Sequence, residues 1–231
     1  MLERVGWLLL FLSIGSVKAE EGLKERLMAQ AHSVRARDYA FTRTTRAEQL
    51  GGKITKTMVE KFDPAKEPAS RWTLVSVDGR APDNNELRTY QKADADRRAL
   101  SYERVALYLS GASDAQTDAR GRTVFRFSSL PKGTVVMGEA DLSPNVEGYA
   151  AIKTEGSTPF VEEVHTTVKQ PLRLKLVAKI EDWQTTTRFR LFSDGKPVPA
   201  EQILEMTASV LGQQSRVRSV TTYSDFRKAQ Q

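Results

Sequence analysis

The sequence predicts a mainly β protein, built as a strongly curved antiparallel sheet that is either a closed barrel or a partly open one. Three observations carry this. Apolar and polar residues alternate with period two through roughly ten short segments. Turn signals such as Asp78-Gly79 and Ser193-Asp194-Gly195 separate them closely enough for local antiparallel pairing. Only two stretches, 21–36 and 84–98, carry a helical reading. No repeat, low-complexity linker or charge block divides 20–231, so one domain is expected.

The chain opens on Glu3 and Arg4, followed by the apolar run Val5 to Ile14 and then Val17-Lys18-Ala19. That order predicts a signal peptide, 1–19, cleaved after Ala19. The run is short for a membrane span, so no transmembrane anchor is expected after processing. With 1–19 leave two cations and one acid, and the formal +6 of the 231 residues becomes +5. Such a balance over a chain of this size is ordinary solubility. For an exported protein it does not point to nucleic acid. The absence of cysteine excludes disulfides, thiolate metal sites, cysteine nucleophiles and a lipid-bearing N-terminal thiol.

Residues 21–36 read as an amphipathic helix with Leu23, Leu27, Ala31 and Val34 on one stripe. From Tyr39 the pattern turns to strand, through 39–46, 53–62 and 71–77, with Gly51-Gly52 and Asp63-Pro64 as breaks. Asp83 to Glu86 forms a capping box that starts the helical insertion 84–98. This insertion is a lid or a passive surface helix. After 104 strands resume. Phe125 and Phe127 share a face in 122–127, and further strands follow at 148–154, 160–168, 172–180 and 183–192. Within 172–180, Leu172, Leu174, Leu176, Ala178 and Ile180 line one side of a single half-buried strand, with Arg173, Lys175 and Lys179 on the other. Leu204, Met206, Ala208 and Val210 give another apolar face, and 216–226 is the last strand.

The chain has no G-x-S-x-G elbow, no H-E-x-x-H and no P-loop, and only two histidines, His32 and His165. Glu163 beside His165 is the one pair that could support general base work, in an envelope hydrolase. A polar, solvent-facing strand edge is the plainer reading. Glu181-Asp182 reads as a turn. The expectation is a non-catalytic protein without cofactor or metal.

Several phrases carry a family likeness: Tyr39-Ala40-Phe41, then Glu60-Lys61-Phe62-Asp63-Pro64, the run Arg71-Trp72-Thr73-Leu74 through Pro82, and the closing Ser219 to Phe226. With export and an amphipathic first helix, this layout resembles the LolA-like periplasmic carriers of outer-membrane lipoproteins and their relatives, over most of 20–228. The resemblance implies an unclosed antiparallel barrel whose concave side is capped by the N-terminal and inserted helices and accommodates acyl chains. True carriers take lipoproteins from an inner-membrane transporter and pass them to an outer-membrane receptor. The helical insertion and the Phe62-Asp63-Pro64 phrase depart from the carrier, which points to a divergent relative. No position here is matched to the carrier's functional arginine or lid residues.

The expected function is therefore a periplasmic binding protein that holds lipid or lipoprotein acyl chains in an apolar concave cavity, with envelope membrane proteins as further partners. The alternative is an adaptor that recognises envelope proteins through the same fold without lipid. The residues expected to line the cavity are Trp72, Leu74, Phe125, Phe127, Leu172, Leu174, Leu176, Phe189, Leu191, Leu204 and Met206. A filled core made of the same residues is the competing outcome.

Overall fold

The computed structural model describes residues 11–50, 55–92, 99–137, 140–175 and 178–229. The segment 1–10 of the expected signal peptide, residues 93–98 of the expected inserted helix, and Leu176 lie outside them. Helix α1, Phe11–His32, leads into β1, Tyr39–Leu50, β2, Thr55–Phe62, and β3, Trp72–Val77. Two helices follow, α2, Asn84–Lys92, and α3, Val105–Ser110, then β4, Ala112–Thr117, and β5, Thr123–Phe127. A small hairpin of β6, Val136–Met137, and β7, Ala140–Asp141, precedes β8, Val146–Glu155, and β9, Thr158–Val168. The chain ends in β10, Leu172–Lys175, β11, Ala178–Leu191, β12, Pro197–Val210, and β13, Gln213–Lys228.

One large antiparallel sheet organises the molecule, in the order β3-β2-β1-β13-β12-β11-β9-β8-β5-β4, with short β10 also paired to β11. It is curved and does not close: β3 and β4 end it. The mainly β, unclosed architecture expected from the sequence is thus present. Its central seam joins the two ends of the chain, from Tyr39↔Lys228 to Leu50↔Arg216. A bulge interrupts that seam where Asp225 takes a left-handed φ of 53°, and next to it Phe226 is buried against Tyr39 and Phe41.

The concave face is filled over β5, β8 and β9 by α1 and by a helical turn that the sequence did not announce. Leu27, Ala31 and Val34 pack with Tyr102, Val105, Ala106 and Leu109 over Phe125, Phe127 and Phe160. Tyr102, wholly buried, donates to Gln30 Oε1 (3.1 Å) and accepts from the Val161 N–H (2.8 Å), which fixes the 3-10 turn Tyr102–Arg104 between helix and sheet. Burial holds its phenol well above the ordinary range. Val105 to Leu109 is therefore helix rather than resumed strand, because five apolar residues in a row suit a buried helical turn as well as a strand.

Three further expectations are corrected. As far as it is described, the inserted helix gives the concave side little cover: α2 has no buried residue, and of its residues Tyr90 alone packs against the core. Its capping box forms as read, with Asp83 Oδ1 accepting from Asn85 and Glu86 and the Glu86 carboxylate accepting from the Asp83 N–H, each at 2.9 Å. The segment 172–180 is not one strand but a hairpin, β10 and β11 pairing Leu172↔Ile180 and Lys175↔Ala178. Glu181-Asp182, expected in a turn, lies at a bulge within β11. No described helix is long and apolar enough to cross a membrane.

Candidate functional site

Strand alternation places one row of residues across all ten ordered strands on the concave face. It runs Val77–Met58–Thr45–Thr221–Gln202–Thr187–Val164–Ala150–Phe125–Ala115. The row is apolar beneath α1 and α3, polar from Thr45 to Thr187, and apolar again at Met58 and Val77. In the uncovered part Thr45 and Thr221 hydroxyls lie 3.1 Å apart and Gln202 donates to Thr187 (3.3 Å). Two neighbouring rows extend the surface: Thr166–Thr185–Leu204–Ser219 and Trp183–Met206–Val217.

Over this surface a cleft of about 250 Å³ remains. Its floor is Val164, Thr166, Trp183, Thr185, Thr187, Gln202 and Tyr223, and its roof is Ala99, Leu100, Arg104, Tyr108 and Thr134 to Val136. Arg104 donates to the Thr134 carbonyl, tying the two halves of the roof together. Among the described residues no carboxylate lines the cleft, while Arg43 and Arg104 do. Arg43 is held from behind: its guanidinium makes a two-pronged pair with Glu60 (2.8 and 2.9 Å) and lies 4.1 Å from the Trp72 ring centroid. Burial disfavours its charge, but the Glu60 carboxylate outweighs this and raises its pKa. Burial pushes the neighbouring Tyr223 phenol up to about 12, so it is a neutral hydroxyl here. The cleft thus offers a cationic, hydroxyl-rich wall with an apolar lip.

Of the eleven residues expected to line the cavity, none of the nine whose side chains are described borders this cleft. Trp72, Phe125, Phe127 and Phe189 are buried in the core, and Leu74 is buried beside Glu60. Leu172, Leu191, Leu204 and Met206 are partly buried against the core; of these, Leu204 and Met206 pair directly with the cleft residues Thr185 and Trp183. The Leu174 side chain, like Leu176, lies outside what is described. The threonines and glutamine that form the floor carry no pattern distinguishing them from solvent-facing strand residues. The alternation itself, extended through the seam between β1 and β13, is the signal that would have found them.

The Glu163–His165 pair is not on a strand edge. β9 is interior, and Glu163, buried, accepts from Arg122, Arg188 and Tyr149 on the convex side. Burial alone would raise its pKa, but Arg188, Tyr149 and Arg122 together hold it below the ordinary value. His165 stacks on Tyr149, its Nδ1 3.0 Å from Thr186 Oγ1, and burial lowers its pKa despite Glu163. Both shifts are depressions, so both groups contribute stability at neutral pH that is lost on acidification. Melting temperature is expected to fall first below about pH 6.5, as His165 is forced to charge, and again below about pH 4.3 as Glu163 is protonated. His165→Gln should remove the first fall. A melting temperature that rises between pH 7 and pH 5 would contradict the assignment.

Among the described residues no group of three or more histidines and carboxylates is placed to hold a metal ion. No family model, no curated protein and no solved structure matches the chain, and none of these comparisons links it to the LolA-like proteins.

Proposed function

We propose that the protein is a non-catalytic periplasmic binding protein whose concave cleft takes an acyl chain of a lipid or lipoprotein for transfer or chaperoning in the cell envelope. The observation that supports this is the cleft itself, a gap between an open sheet and a two-part roof, with Leu100, Val135, Val136 and Trp183 for a chain. Arg43, Arg104 and the threonine hydroxyls suit the ester or anionic end. At about 250 Å³ it falls below the roughly 300–1,000 Å³ usual for ligand sites, so a full chain requires the roof to lift. The two halves of the roof meet in one hydrogen bond, from Arg104 to the Thr134 carbonyl, so lifting parts them there.

Native mass spectrometry of protein purified from a periplasm, with solvent extraction, tests the proposal. A stoichiometric phospholipid or acylated species is expected, together with uptake of a fluorescent fatty acid. Thr185→Trp, which fills the cleft from its floor, should weaken that uptake at least about tenfold, the loss of some two methylenes' burial at about 0.8 kcal/mol each. A clean apo mass with no probe uptake would end this reading. The adaptor alternative would then stand, supported by the two sheet edges, β3 and β4, that no other described strand covers.

A further inference from the structure

Most exposed apolar side chains of the described residues are single: Val75, Leu107 and Val136. One pair is not. Val210 and Leu211 stand adjacent at the tip of the long β12–β13 hairpin, 53% and 77% exposed. The turn is two residues long, and both Leu211 (φ 52°) and Gly212 (φ 80°) are left-handed. That geometry favours asparagine, aspartate or glycine at the first position. A leucine there is strained and fully offered to solvent, so neither local backbone preference nor core packing accounts for it.

Among the described residues cations outnumber acids around the tip. Lys179 of β11 is opposite Ser209, and Arg173 of β10 is opposite Lys179, so two cations lie in the row just behind Val210. Arg216 is opposite Thr207 on the other side of the hairpin. None of the three has an ion-pair partner among the described residues; of the two nearby acids, Glu181 accepts from Gln214 (2.7 Å) and Asp182 is opposite Thr207, two strands from Arg216. At about 3.3 Å per residue Arg173 and Lys179 stand roughly 7 Å behind Leu211 and Arg216 roughly 13 Å. The nearer pair matches the depth at which an interfacial apolar residue enters a bilayer while basic residues stay among the headgroups, and Arg216 faces the outer headgroup layer.

We propose that the β12–β13 tip docks the protein on an anionic lipid surface, Val210 and Leu211 entering the interface and Arg173, Lys179 and Arg216 meeting the phosphates. This surface is separate from the concave cleft and does not depend on it. The chain has no cysteine, so Gln213→Cys carries a single environment-sensitive fluorophore beside the tip in the full chain. Its emission is expected to shift to the blue with mixed phosphatidylcholine–phosphatidylglycerol vesicles and not with phosphatidylcholine alone. The same label at Ser193→Cys, at the opposite end of β12, should not respond.

Leu211→Asn, which suits the turn better than leucine, should leave folding intact and reduce partitioning at least about tenfold. Lys179→Gln and Arg216→Gln should each reduce it about fivefold. No shift with anionic vesicles, or a shift that survives Leu211→Asn, overturns the proposal. So does a concentration-dependent shift without lipid that Leu211→Asn abolishes, which would assign the tip to a second copy of the chain.

Discussion

Glu60→Leu is expected to cost about 3–5 kcal/mol of stability, far more than a leucine-for-glutamate change at a strand surface. The Glu60 side chain is 3% exposed, and its carboxylate is the two-pronged partner of Arg43. Removing it leaves a guanidinium that is 16% exposed with no counter-charge, and an uncompensated buried charge is among the most destabilising changes available. The double variant Arg43→Met with Glu60→Leu should recover most of the loss, because a pair replaced by apolar groups of similar volume is often neutral. What remains reports the Arg43–Trp72 stacking, about 0.5–2 kcal/mol. Urea unfolding of the four members of the cycle measures this, and a coupling below about 0.5 kcal/mol would show that water already solvates the pair. The pair also tunes the cleft. With Glu60 absent, the Arg43 charge facing it is no longer neutralised, so an anionic fluorescent fatty acid should bind the single variant more tightly than wild type, even as stability drops.

The fold was legible in the sequence wherever a local rule sufficed. Alternation put Phe125 and Phe127 on one buried face, and Asp78-Gly79 and Ser193-Asp194-Gly195 became turns with Gly79 and Gly195 left-handed. Local rules failed where a reversal carried no turn residue or where a contact between distant residues decided the outcome. The hairpin within 172–180 has no glycine, proline, asparagine or aspartate to mark it, so its apolar alternation reads straight through a reversal. Val105 to Leu109 is helical because Leu27 and Ala31 of α1 wait above it, a fact of tertiary packing. The candidate site was least legible of all. Thr45, Thr221, Gln202 and Thr187 become one polar wall only when the first and last strands pair, 176 residues apart in the case of Thr45 and Thr221. Apolar residues were the natural guess for a cavity, but Trp72, Phe125, Phe127 and Phe189 are packed in the core, and the cleft floor is largely hydroxyl-bearing and amide side chains beside Trp183 and Val164.

Gly148→Ala is the second change with a large expected effect, and it acts through backbone alone. Gly148 sits in β8 between Phe127 of β5 and Thr166 of β9, and is held by both ladders. A Cβ there would stand 1.9 Å from the His165 carbonyl oxygen and 2.9 Å from its carbon, with Phe127 Cζ at 3.0 Å. A flexible side chain could swing away from such a clash, but a carbonyl fixed in a sheet cannot. The β8–β9 pair must part at this point, and the loss expected is about 3 kcal/mol or more. Gly111→Ala makes the comparison internal to the protein: its Cβ would meet Ser129 O at 3.1 Å, a gap that a few tenths of an ångström relieve, so a change within about 1 kcal/mol is expected. Chemical unfolding of the two variants separates a close backbone approach from a general intolerance of added methyls. The location gives the larger loss a functional side. Ala150 and Val164, two register steps from Gly148, connect the packed half of the sheet to the cleft floor. Parting β8 from β9 should therefore loosen the cleft along with the core, and fatty-acid uptake should fall in Gly148→Ala even under conditions where most molecules remain folded. Uptake that stays at the wild-type level in the folded fraction would mean that the cleft is held by β9, β11 and β12 without help from β8.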